Sequence, residues 1–307
     1  MLLNLVRLRY RDVPVFLSVS SVLSQYVYLG SANVNGAAGT AGGGLGVTYI
    51  DRPTISYSPL SGEEFAQQLL TPIPSASIFS LAQSGWPAAE LMMMGFERLN
   101  HLNNTAFGPV LSQQQIEQMQ EFELAVRLIV KLGKHNGFES YRGIGKDAKN
   151  RYLVFAENPS PETQTIIAQF KQVLQLDPDI SVFRITDRQI NRKPDEVILK
   201  LRSLLTLMGF LSHGVEVPEE HMQNKFVEQN PAITQIANND LFVPVNIHSS
   251  DAKPDNAFVA IEYQNYWFYI DHSDHASKQA FGLLTYLYML QAPQSPNAVP
   301  LITIPAG

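Results

Sequence analysis

The densest group of chemically able side chains is Asp271-His272-Ser273-Asp274-His275. Carboxylates and imidazoles ligate metals or pass protons, but a metal site needs at least three of them converging. Here they would have to wrap a tight turn. The segment follows an aromatic run, Tyr266-Trp-Phe-Tyr-Ile270, and precedes apolar residues at helical spacing. A strand-to-helix junction needs oxygens for the first N–H groups of the helix and favours negative charge there. Asp271, Ser273 and Asp274 suit that role. Asp271, His272, Asp274 and His275 therefore rank as weak metal or acid–base candidates. They are the basis of an alternative reading, a hydrolase or metal-dependent enzyme.

Gly143-Ile-Gly-Lys146 has the flavour of a phosphate loop. It lacks the full spacing, and Asp147 stands where Ser or Thr belongs. No Gly-x-Ser-x-Gly elbow, His-Glu-x-x-His pair or EF-hand loop occurs. His101, His135, His213 and His221 fall near expected helix ends, and His248 ends an expected strand, where structural roles suffice. Tyr263, Tyr266 and Trp267 offer stacking surfaces for a soluble ligand-binding module, although aromatic strands more commonly pack in cores. With no cysteine in 307 residues, disulfides, thiolate sites and a Cys nucleophile are excluded. A net charge of -6 argues against nucleic acid as a partner. The expectation is a non-enzyme with no catalytic residue, no cofactor and no metal.

The stretch that organises the chain is Val13 to Ile50, which contains no Asp, Glu, Lys, Arg or His. Val15, Leu17, Val19, Leu23, Val27 and Leu29 share one parity. Beyond a Gly-rich middle, Leu45, Val47, Tyr49, Ile55 and Tyr57 alternate with polar residues. Period two marks a strand with unlike faces. The spacing predicts a long amphipathic β-hairpin over 13–60, with Gly30–Gly46 as an uncharged tip. Its Gly-rich composition fits a merely flexible excursion; against that, a lone apolar strand edge invites pairing with other chains, so these eleven residues are the expected assembly surface, with membrane contact as one setting.

Around it, the patterns predict an α+β fold: a hairpin with short helices, then helices packed on a mixed β-sheet. Helices are expected at 1–12, from Ser61 to Leu70, at 75–84, from Pro87 to about Leu102, at 112–132, from Ser160, at 194–212, at 218–226 and at 274–290. Strands are expected at 138–141, 152–156, 182–186, 241–248, 257–263, 266–271 and 299–304. A loop at 103–109 places the boundary between an N-terminal lobe, 1–110, and an α+β lobe, 111–307. The arginines at 7, 9 and 11 break the first apolar run, so it does not read as an export signal.

Several phrases carry a resemblance: Met1-Leu-Leu-Asn-Leu-Val-Arg-Leu-Arg-Tyr-Arg-Asp-Val-Pro-Val-Phe-Leu17, Arg52-Pro-Thr-Ile-Ser-Tyr-Ser-Pro-Leu-Ser-Gly62, Leu70-Thr-Pro-Ile-Pro74, Ser84-Gly-Trp-Pro87 and Trp267-Phe-Tyr-Ile-Asp-His-Ser-Asp-His-Ala-Ser-Lys278. Over nearly its whole length the chain resembles a family of uncharacterised outer-membrane lipoproteins of Gram-negative envelopes. The resemblance implies an exported protein of the periplasm or outer membrane, lipid-anchored through a cysteine ahead of Met1. It also implies an accessory role in a secretion-type complex. Together with the hairpin, it gives the expected function: a structural or assembly protein, homo-oligomeric or part of a larger envelope complex.

Overall fold

The computed structural model describes residues 1–37, 40–59, 62–104, 111–188, 190, 192–227, 235–236 and 241–291; for 17–59 and Glu64 it describes the backbone alone. Contacts divide the chain into two units, one of Met1–Pro14 with Ala66–Ala292 and one built on Val15–Phe65.

The larger unit is α+β. Its six-stranded sheet has the order β4-β3-β8-β7-β6-β5. These are β3 (Phe96–Leu99), β4 (Leu102–Asn103), β5 (Phe138–Arg142), β6 (Arg151–Phe155), β7 (Val182–Thr186) and β8 (Glu196–Leu201). Only β7 and β8 pair in parallel. The register puts Phe138, Leu153, Phe155, Phe183, Val197 and Leu199 on one face. Helices α5 (Gln113–Lys134) and α6 (Pro161–Val173) cover that face, with Phe170 of α6 against Phe155, ring centroids 5.9 Å apart. The opposite face is polar. It holds the Arg184–Glu196 and Lys200–Glu97 ion pairs and the stacked rings of Tyr141 and Tyr152.

Helices α3 (Ser75–Gln83), α4 (Ala88–Gly95), α7 (Leu204–Ser212) and α8 (Glu219–Gln223) complete this body. A second, antiparallel sheet pairs β9 (His248–Ser250), β10 (Ala257–Tyr263) and β11 (Tyr266–Asp271) in the order β10-β11-β9. The β10–β11 turn is Gln264-Asn265, both at positive φ (51° and 66°), as a two-residue primed turn requires. Helix α9 (His275–Gln291) follows. At the N-terminus, α1 (Leu2–Arg9) buries Leu2, Leu5 and Val6, while Arg7 and Arg9, expected to face out, are half-buried. Tyr10 then enters an aromatic nest with Tyr263 and Phe268.

Several expectations hold closely. Ser112 and Gln115 cap each other at the start of α5, each side chain meeting the other's backbone N–H. Gly133 does not end that helix, which runs on to Lys134 and closes at Asn136, φ 52°. Met93 and Met94 are core residues and Met92 lies at the margin. Helix α2 (Glu63–Leu70) forms, while its expected cap Ser61 lies outside the described residues, as does the strand at 299–304.

Three elements differ. The helix expected to Leu102 stops at Gly95, because Phe96–Leu99 pairs with β8. The helix expected over 194–212 splits into β8 and α7. Glu196-Val-Ile-Leu-Lys-Leu201 is a central strand whose Val197-Ile198-Leu199 run is buried, and the same apolar residues satisfy helical spacing equally well. Of the strand expected at 241–248, only His248 joins a sheet. The residue-110 boundary is also displaced: β3 and β8 lie on either side of it and hydrogen-bond in one sheet.

The second unit contains the hairpin. β1 (Leu17–Ala37) and β2 (Thr40–Pro59) pair antiparallel from Leu17↔Pro59 to Ala37↔Thr40. Strand pairing therefore continues through most of the Gly-rich stretch expected to be a tip. Ala38 and Gly39 lie outside the described residues. Phe16 and Phe65, both buried, meet edge to face at the base, 5.1 Å between centroids.

Candidate functional site

The ribbon is a two-stranded sheet, and no third strand joins it among the described residues. Its register contains one irregularity, between Val19 and Ser21. An extra residue in one strand sends every later position to the other face. Val19 lies opposite Tyr57, Val22 opposite Ile55, Tyr28 opposite Tyr49, Gly30 opposite Val47 and Ala32 opposite Leu45. Leu23, Val27 and Leu29 lie opposite Thr54, Ile50 and Thr48. Directly opposed positions share a face. The expected single apolar face is thus corrected. Leu17 and Val19 share a face with Leu45, Val47, Tyr49, Ile55 and Tyr57, and the bulge carries Leu23, Val27 and Leu29 to the other. Apolar positions stand on both sides of the ribbon. Val15 precedes the strand.

The Asp271–His275 group resolves into capping. Asp271 Oδ1 accepts from the Ser273 N–H (2.7 Å) and hydroxyl (2.5 Å), an Asx turn. Those two bonds hold its carboxyl below the usual carboxylate range, with His248 and His272 pulling the same way against burial. Asp274 is the N-cap of α9. Its Oδ1 accepts from the Ser277 N–H (3.0 Å) and its Oδ2 from the Ser277 hydroxyl (2.6 Å). Burial would raise its pKa, but Ser277 and Asn246 bring it below the ordinary value. His272 and His275 are exposed. Among the described residues no three His, Cys, Asp or Glu side chains group to hold a metal ion.

Asp274→Ala should lower stability by about 1 kcal/mol, the usual worth of such a cap. His272→Ala and His275→Ala should each shift it by less than about 0.5 kcal/mol. Thermal melts measure all three, and metal analysis of the same samples tests the enzyme reading. A stoichiometric metal lost from both histidine variants would restore that reading.

Other sequence candidates are also dispersed. Gly143–Lys146 lies in the β5–β6 hairpin connection and precedes no α-helix; Gly145–Asp147 is one 3₁₀ turn. Tyr263 and Tyr266 oppose each other, while Trp267 belongs to the other face of β11, so the three make no common platform. Tyr263 donates to Asp12, and Tyr266 donates to Glu220 (3.0 Å). His221, expected at a helix end, is buried, with Nδ1 2.6 Å from the Tyr10 hydroxyl. The bond ties the segment after α1 to α8.

Two features escaped the sequence reading. The first is Arg202, 0% exposed, between β8 and α7. Its Nη1 donates to the carbonyls of Met93 (3.1 Å), Met94 (2.7 Å) and Phe96 (2.7 Å), and its Nη2 to that of Asn104. A cation at the C-terminal carbonyls of α4 is where the helix dipole favours one. Burial pulls the guanidinium down to about 9, Glu97 pulling it back, and it stays charged at neutral pH. Its signal was one Arg ending an apolar run. The second is an apolar cavity of about 350 Å³ between the covered sheet face and helices α3–α6, for which the sequence held no signal.

Among the described residues, no helix is long and apolar enough to cross a membrane. Compared with known protein families, with curated proteins and with solved structures, the chain finds no match.

Proposed function

We propose that the chain is a non-enzymatic assembly component of a Gram-negative cell envelope, at the periplasm or outer membrane. In this reading it self-associates, or docks in a larger complex, through the 13–60 hairpin. The observation that carries the reading is the ribbon: strands of 21 and 20 residues that pair only with each other among the described residues. A two-stranded hairpin alone is marginal in water. Open edges with apolar positions on both faces call for further strands or covering surfaces. The charge-free run from Val13 to Ile50 matches that need, since a solvated ribbon would carry Lys or Glu. The envelope setting rests on the resemblance in the phrases quoted above.

The register supplies a clean test. Ser31 lies opposite Gly46, so replacing Ser31–Gly46 by Asn-Gly shortens both arms equally and closes them with a favoured two-residue turn. Native mass measurement in mild detergent should give an oligomer for the full chain and a lower mass for the shortened one. A full chain that is monomeric overturns self-association, and a shortened chain that keeps the parent's stoichiometry overturns the role given to the hairpin.

A further inference from the structure

The cavity under the six-stranded sheet is lined by 18 residues, of which only Gln83, Ser140 and Arg151 carry polar side-chain atoms. Its floor is sheet: Leu153, Ile185, Val197 and Leu199. Phe79, Leu91 and Met92 wall it from α3 and α4, and Phe170 closes it from α6. Gln83 and Ala88 on the lining are exposed, so the space communicates with solvent. Protein interiors leave few voids larger than a water molecule, and 350 Å³ is within the range of ligand pockets. At roughly 30 Å³ per small group, it takes about a dozen methylene-sized units.

Its polar groups are arranged for an anion. The Arg151 guanidinium stacks 3.9 Å above the Phe79 ring. Among the described residues no carboxylate forms an ion pair with Arg151 or with Arg142, its cross-strand neighbour. The stretch 142–151 carries Arg142, Lys146, Lys149 and Arg151 against a single acid, Asp147. Asp147 accepts instead from Asn150 (3.1 Å). Burial and the charge of Arg142 both lower the Arg151 pKa, as expected of a cation lacking a counter-ion. The Ser140 hydroxyl, on the strand next to Arg151, is buried with no hydrogen-bond partner.

We propose that this cavity binds a single acyl chain of about ten to twelve carbons, with its anionic head at Arg151 and the Ser140 hydroxyl. The chain lies on the Leu153–Val197 floor and replaces the empty volume with apolar contact. The head supplies the charge that Arg151 lacks and an acceptor for Ser140. A free fatty acid and a lysophosphatidate share this chemistry. The site lies wholly in the larger unit, so it is independent of assembly through the ribbon.

The test is calorimetric titration of the full-length protein with dodecanoate, dodecanoyl lysophosphatidate, dodecanol and dodecyltrimethylammonium. One molecule of at least one anion should bind per chain, and the quaternary ammonium at least tenfold more weakly. The tighter anion identifies the source. Arg151→Gln should weaken the anion at least tenfold and leave dodecanol unchanged. Ala82→Phe fills the space and should weaken both. Met92→Trp fills it from the neighbouring helix and decides the matter if Ala82→Phe loses its cooperative melt. Absence of saturable binding, equal affinity for the ammonium, or unchanged binding in the filled variants overturns the proposal.

Discussion

Alanine at position 214 should cost the protein about 3 kcal/mol or more, a fall in Tm of roughly 6–12 °C for a domain of this size. A Cβ added to Gly214 would lie 1.8 Å from the Val245 carbonyl oxygen. The obstacle is backbone, so no rotamer change relieves it. Val245 cannot retreat freely, because its neighbours are bound on the same side. Ile247 N–H donates to the Gly214 carbonyl (2.9 Å), and Glu216 N–H donates to the Ile247 carbonyl (2.8 Å). Gly209, five residues earlier in α7, is the control: a Cβ there meets nothing within 4 Å. Gly209→Ala should stabilise by up to about 1 kcal/mol through helix propensity. Calorimetric melts of the two variants should therefore move in opposite directions. A Gly214→Ala protein that melts with the parent would show that the 245–247 segment is not held against the end of α7.

Removing Arg202 should have a comparable effect. Arg202→Met keeps much of the side-chain volume but withdraws the donors from four buried carbonyls. Each buried acceptor left unsatisfied costs about 1–3 kcal/mol. Asn104 Nδ2 already donates to the Met93 and Phe96 carbonyls, which limits their loss. Relief from burying a charge offsets part of the remainder. The net expectation is about 3–5 kcal/mol, measured by denaturant unfolding. Arg202→Lys should recover little, because an ammonium lacks the planar fork that reaches several carbonyls at once. Its charge alone is not the point: Glu97 attracts either cation, but the Phe210 ring, 4.0 Å from the guanidinium carbon, suits the flat group. A lysine variant as stable as the parent would mean that charge, rather than the hydrogen-bond fan, holds the junction.

Where the sequence was legible, one local rule acted alone. Ser112 with Gln115 announced α5, and Gln264-Asn265 between alternating aromatics announced the β10–β11 hairpin. The α+β class followed from such elements. Legibility failed where two rules fitted the same letters. Val197 to Leu201 satisfies both a buried strand and a helix stripe, and only pairing with β3 and β7 settles it. The hairpin was legible as alternation, but a bulge has no fixed residue signature, so its effect on the two faces was hidden. The Asx turn at Asp271 and the cap at Asp274 follow a local rule as well, since a strand-to-helix junction calls for such oxygens. The cavity depends on surfaces far apart in the chain, from Ile78 to Leu199, which no local pattern encodes.

A strand of 20 residues at about 3.3 Å per residue extends roughly 65 Å. The hydrocarbon layer of a bilayer is ~30 Å thick, and a tilted strand crosses it in about ten residues. Lipid crossing would therefore use only half of each arm. If the proposed assembly runs through the ribbon, the other half would be reach, enough to grip a neighbour on the far side of a headgroup layer or several nanometres along a shared wall. Bisecting the ribbon by register-matched cuts would separate those two uses, since each half would answer for its own span.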